Sequence, residues 1–171
     1  LFIGDGMQMA AEVGTSRYLF GKDDGLSFHQ LPYKGVVATW DVSSYNARAK
    51  AAGKPAYDPK AIHPSTGYDA VQGGKLPYPL QTTGDPAYLT GPATDSASAA
   101  TAWATGYKTD DGNIAWLPGD PPDGRLSTIA EMLRREKGFS IGVVSTVPFT
   151  HATPAAQVSH NVSRNNYHAI G

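Results

Sequence analysis

Three short apolar runs and three stretches of helical spacing organise the chain. The runs are Leu1-Phe2-Ile3, Gly35-Val36-Val37-Ala38-Thr39-Trp40 and Ser140-Ile141-Gly142-Val143-Val144-Ser145-Thr146. They are continuous and rich in β-branched or aromatic residues, the pattern of strands buried on both faces. Residues 7–20 place apolar side chains at roughly helical intervals, with Gly14 as the weak point. The stretch from Ser96 to Thr105 is rich in Ala, Ser and Thr and is followed by Gly106, which predicts a closely packed helix with a glycine cap. Thr128-Ile129-Ala130-Glu131 reads as a capping box opening a helix that ends near Lys137-Gly138. Strands alternating with helices predict an α/β fold, with a mainly parallel sheet and helices on both faces. From about 41 to 92 the texture changes to Tyr, Pro, Gly and Lys without periodicity, the signature of a long loop or insertion. A second turn-rich loop covers residues 110–125.

Composition narrows the classes. The 171 residues are 40% hydrophobic and 17% charged, with a formal net charge of −1. There is no basic stripe and no acidic tail, which argues against nucleic acid and membrane surfaces as partners. Cysteine is absent, so neither a disulfide nor a thiolate metal site is available. The chain opens inside an apolar run and closes on His168-Ala169-Ile170-Gly171 without a terminating pattern, so it is expected to be a piece of something longer.

Candidate chemistry sits just past the predicted strands, where ligands of parallel sheets bind. Gly4-Asp5-Gly6 lacks the third glycine of a dinucleotide fingerprint, and Lys22 is followed by Asp23, so neither nucleotide motif is present. An Asp between glycines suits a metal cation better, or simply a structural turn. Thr94-Asp95-Ser96-Ala97-Ser98 puts a hydroxyl at the start of a helix, where unpaired N–H groups favour phosphate. The ordinary alternative is that Asp95 or Ser96 is just an N-cap. No G-x-S-x-G elbow is present to support a Ser–His hydrolase triad. In an extended segment, His151 and Thr153 would point the same way, toward a cation or toward solvent. Arg164 can offer a fork for two phosphate oxygens, or be surface charge.

Taken in order, Phe2-Ile3-Gly4-Asp5-Gly6-Met7, the run from Thr94 to Gly106, and His151-Ala152-Thr153-Pro154-Ala155-Ala156 continuing to Arg164 resemble the alkaline phosphatase family. The resemblance implies that residues 1–171 are the N-terminal portion of one such catalytic domain, present only in part and carrying an insertion at about 41–92. It implies Ser96 as the nucleophile that becomes phosphoserine, Arg164 as the phosphate-binding arginine, and Asp95 as the residue that orients it. Asp5 resembles a carboxylate bridging a zinc and a third, magnesium site; Ser96 also meets a zinc, and Thr153 resembles a third-site ligand. His151 stands where members carry Asp or His, and Gln8 replaces a common glycine. Two zinc ions and magnesium are the implied cofactors, with phosphate monoesters as substrates. The remaining C-terminal half of the domain and a possible second copy are the implied partners, and the location is periplasmic or secreted. His29, His63, His160 and His168 fall in no matching motif and are assigned no metal. Asn161-Val162-Ser163 forms a glycosylation sequon, taken as coincidental inside a functional segment. Alternatives are a related phosphodiesterase, a sulfatase (although Pro and Arg are missing after Ser96) or an inactive phosphate-binding fragment. Residues 1–171 alone are expected to show little or no phosphatase activity.

Overall fold

The structure, a computed structural model, describes residues 1–33, 40–51, 53, 55–58 and 94–170. It divides into two compact units, Leu1–Val37 and Ala38–Gly171.

In the first unit, helix α1 spans Met9–Phe20 and runs through Gly14 unbroken. Gly21 ends it at φ 67°, a left-handed value that glycine adopts without strain, with its N–H on the Arg17 carbonyl. The buried Ser16 hydroxyl then shapes the following turn, donating to the Lys22 carbonyl at 2.6 Å and accepting from the Gly25 amide at 2.7 Å. His29 lies against Glu12, which occupies it structurally.

The second unit holds α2 (Val42–Ala51), α3 (Ser96–Thr105), α4 (Ile129–Lys137) and the short α5 (Ala152–Ala155). Helix α3 has the predicted bounds because both ends are set locally. Asp95 accepts from the Ser98 amide at its start, and Gly106 closes it with its N–H on Ala102. The capping box of α4 also forms, between Thr128 and Glu131, and Gly138 ends that helix at φ 68°. Helix α2 lies within the region read as a loop or insertion. The rest of that region beyond residue 58, His63 included, is outside the described residues.

Small residues bring α3 and α5 close together. Ala97 and Ala100 of α3 join Ala152, Ala155 and Ala156, with Ile114 and Ile170, in one buried cluster. Side chains no larger than a methyl let the two backbones approach, so a larger residue at Ala100 would force the helices apart. Thr101, on the same buried face, donates to the Asn113 carbonyl at 3.0 Å and accepts from the Ala115 amide at 2.8 Å. It thereby fastens the 110–125 loop to α3.

The predicted sheet does not form among the described residues. Residues 35–39 lie outside them. Leu1 and Phe2 are exposed, and residues 140–146 have no regular structure, with Val144 99% exposed. A buried strand satisfies its backbone only through neighbouring strands. Among the described residues the β pairings are single bridges, Ile114 with Asn161 and Trp116 with Arg125, and neither run takes part in them.

Candidate active site

Gly4-Asp5-Gly6-Met7 forms a tight turn in the first unit. The Met7 amide donates to the Gly4 carbonyl at 3.1 Å, and Gly6 sits at φ 71°. Asp5 is therefore exposed at a turn tip. The other candidates belong to the second unit.

There, Asp95 is the N-cap of α3. Its Oδ1 accepts from the Ser98 amide at 2.8 Å and the Ser98 hydroxyl at 2.7 Å. Its Oδ2 accepts from Arg164 Nη1 at 3.0 Å. One carboxylate thus ties the helix start to an arginine sixty-nine residues away in sequence. Because Asp95 takes the capping role, the Ser96 hydroxyl at the first helical position is not needed for it. The first intrahelical bond runs from Ala99 N–H to Asp95, so the Ser96 and Ala97 amides at the helix start precede the helical ladder.

Burial alone would push the Asp95 carboxyl up. The Ser98 amide and hydroxyl, the Arg164 guanidinium and the Gly112 backbone outweigh it and hold the group below the usual carboxylate value. The Arg164 amide donates to the Gly112 carbonyl at 2.8 Å, and Gly112 adopts φ 86°, which a side chain would strain. The arginine is thus held through its backbone and its side chain.

His151 and Thr153 do not lie in an extended segment. His151 is the N-cap residue of α5, and Thr153 is inside that helix and buried. A helical turn rotates residues two apart to different sides, so the expected common direction is not produced by the backbone. Helix α5 nevertheless packs on α3, which brings the Thr153 segment to the helix that carries Ser96. Among the described residues, no group of three or more His, Asp or Glu side chains is placed to hold a metal ion.

His160, which has no place in the motifs, has a structural task. Its ring bridges the Ala115 carbonyl at 3.1 Å and Glu131 Oε1 at 3.0 Å. Burial raises the Glu131 carboxyl, but the Thr128 amide, His160 and Arg125 outweigh it and bring the group from its ordinary 4.5 down to about 2. A depressed carboxylate adds stability above its ordinary value and loses it as pH falls through the folded one. Stability is therefore expected to decline between about pH 4.5 and 2, with Asp95 acting in the same direction. Chemical denaturation across that range should show the decline, and Glu131→Gln should flatten it. The sequon asparagine is also engaged: its side-chain amide donates to the Ala169 carbonyl at 3.3 Å, and its oxygen accepts from the Ser163 amide.

The sequence profile of the family described as alkaline phosphatase matches residues 78–171, more than half of the chain. The chain belongs to the alkaline phosphatase family. Among curated relatives, streptomycin-6-phosphate phosphatase of Streptomyces griseus is 37% identical over 95 residues, 56% of this chain and 20% of that protein. Alkaline phosphatase of Escherichia coli K12 is 44% identical over 85 residues, 50% of this chain and 16% of that one. The chain therefore spans about a fifth or less of these relatives' length. Solved alkaline phosphatases also match. The cold-active enzyme of Shewanella sp. is 49% identical with a TM-score of 0.41, covering 46% of this chain and 19% of that one. A mutant of the Antarctic TAB5 alkaline phosphatase with Mg bound in its M3 site is 34% identical with a TM-score of 0.41, covering 45% and 21%. The family match takes in the α3, α5 and Arg164 segments and leaves out the Asp5 turn.

Thr94, Ser98 and Asp41 are polar groups around this site that the sequence reading did not single out. The hydroxyls on either side of Ser96 in Thr94-Asp95-Ser96-Ala97-Ser98 were the available signal for two of them.

Proposed function

We propose that the protein carrying these residues hydrolyses phosphate monoesters through a phosphoserine intermediate on Ser96. The observation that carries this reading is the double use of Asp95, which caps the Ser96 helix and holds the Arg164 guanidinium at 3.0 Å. Arg164 has five donor N–H groups in a rigid fork, so pairing with Asp95 leaves others for phosphate oxygens. The α3 N-terminus adds amides and a partial positive charge. Ser96 Oγ forms the new bond to phosphorus while the ester oxygen departs as the alcohol. Water then cleaves the phosphoserine, releasing inorganic phosphate and regenerating the hydroxyl.

Asp5, Ser96, His151 and Thr153 are proposed as part of a ligand set for zinc and magnesium, to which other segments contribute. Carboxylate, hydroxyl and imidazole donors suit these ions. The described residues do not by themselves complete a metal centre. A bound cation would acidify the serine hydroxyl, as a weak nucleophile requires. In the whole domain, the runs at 1–3, 35–40 and 140–146 are proposed as neighbouring strands of an α/β sheet. A C-terminal half of the domain, a homodimer and a periplasmic or secreted location belong to the same proposal. No helix among the described residues is long and apolar enough to cross a membrane.

The test compares an aryl phosphate monoester with the matching diester and sulfate, using the full-length protein. Preferential monoester turnover with an alkaline optimum, lost to a chelator, is expected. Preference for diester or sulfate would overturn the reading; robust chelator-sensitive monoester turnover by residues 1–171 alone would overturn the proposal that other segments complete the metal centre.

A further inference from the structure

The opening of the 41–92 region is fastened to both ends of the Ser96 helix. Beyond the C-terminus of α3, the Val42 amide donates to the Thr109 carbonyl at 2.8 Å. The Ser43 hydroxyl donates to Asp110 Oδ1 at 3.0 Å and accepts from the Asp111 amide at 3.1 Å. Lys108 Nζ donates to the Trp40 carbonyl at 2.9 Å and lies 4.6 Å over the Trp40 ring. Ahead of its N-terminus the link is Asp41, only 2% exposed. Its Oδ1 accepts from the Ser44 amide at 2.7 Å, and its Oδ2 accepts from the Thr94 hydroxyl at 3.2 Å.

A buried carboxylate is costly unless its oxygens are satisfied. Capping the first turn of α2 through Ser44 accounts for Oδ1. It does not account for Oδ2, which turns to a residue fifty-three positions away and two before Ser96. The hydroxyl protons then follow a fixed order. Thr94 gives its one proton to Asp41. Ser98, whose hydroxyl oxygen lies 3.4 Å from that of Thr94, gives its own to Asp95 Oδ1 at 2.7 Å. Asp95 in turn holds Arg164 at 3.0 Å.

We propose that Asp41 is a positioning residue of the phosphate site, acting through Thr94 on the turn that aims Asp95 at Arg164. This rests on the phosphoserine reading and deepens it: the start of the insertion braces the phosphate-binding arginine. Without the brace, the Thr94 proton loses its acceptor and the turn before Ser96 is freed to shift, so the fork no longer meets phosphate in its best geometry.

The test uses the full-length, metal-loaded enzyme with inorganic phosphate as the inhibitor. Asp41→Ala and Thr94→Val should each raise the phosphate inhibition constant and KM roughly tenfold, the worth of one hydrogen bond to a charged group, with a smaller change in kcat. Thr94→Val leaves the α2 cap intact, so its effect reports the link to Asp41 and not the folding of α2. The double variant should be no worse than either single one, since both cut the same link. Asp41→Asn, which keeps an acceptor for Ser44 and a polar partner for Thr94, should stay near the parent. Ser43→Ala, which loosens α2 without touching Thr94, should leave the inhibition constant unchanged. A parental inhibition constant in Thr94→Val, with Asp41→Ala lowering only the melting temperature, would reduce Asp41 to a helix cap and overturn the inference. Turnover at the parental rate in Ser96→Ala would instead overturn the functional reading, and the inference with it.

Discussion

Ser96→Ala in the full-length enzyme is expected to yield a folded protein that no longer takes up phosphate from its substrate. The fold survives because the cap of α3 is the Asp95 side chain, which accepts from the Ser98 amide at 2.8 Å, and alanine is the best helix former for the position. Chemistry is not expected to survive, because in the proposed mechanism the hydroxyl is the atom that forms the covalent bond. Turnover should fall by roughly a thousandfold or more, the scale seen when a covalent nucleophile is removed, with residual activity from direct attack by water. Acid quenching during turnover, followed by mass spectrometry of the peptide containing residue 96, should find the added phosphate in the parent and none in the variant. A phosphopeptide that persists in Ser96→Ala would place the nucleophile elsewhere.

Arg164→Ala is expected to have the next largest effect, on phosphate affinity. On the proposed reading two charge-assisted hydrogen bonds to phosphate oxygens would be lost, each worth about 1.5–3 kcal/mol, and Asp95 would be left without its guanidinium partner beside the site. The inhibition constant for inorganic phosphate and 1/(kcat/KM) should both rise by roughly a hundredfold or more. Arg164→Lys should recover little of this, because an ammonium group cannot hold Asp95 and fork onto two phosphate oxygens at once. Stability should drop modestly, since the Arg164 backbone bond to Gly112 at 2.8 Å remains. Unchanged phosphate inhibition in the alanine variant would remove Arg164 from the site.

The legible parts of the fold are those decided within a few residues. Asp95 with Ser98, Thr128 with Glu131, and the glycines at 21, 106 and 138 set the ends of α1, α3 and α4, and all act over one helical turn. Helix α2 had a comparable signal, Asp41 three residues before Ser44, but it was hidden by the irregular texture of the sequence after it. The apolar runs at 1–3 and 140–146 form no strands among the described residues. Their residue types fit strands, but a strand exists only through its neighbours, and among the described residues no ladder reaches them. His151 and Thr153 were noticed for their chemistry and placed in the wrong local geometry, because four residues of helix around a proline carry almost no periodicity.

What the sequence alone determined is the set of candidate groups, a serine at a helix start, an aspartate beside it and an arginine downstream, and motifs specific enough to name the family. Tertiary structure decided which of them meet, although the family resemblance had already implied that Asp95 orients Arg164. Asp95 and Arg164 are sixty-nine positions apart, and Asp41 and Thr94 fifty-three, so neither pairing leaves a trace in local propensity or spacing. The first pair is brought together by the alanine-lined contact of α3 with α5 and by the loop that Thr101 fastens to α3, the second by the bonds of Val42 and Ser43 to Thr109 and Asp110. The physical reason is that helix caps depend on neighbours along the chain, whereas a buried carboxylate must find whatever donors the packed fold brings to it.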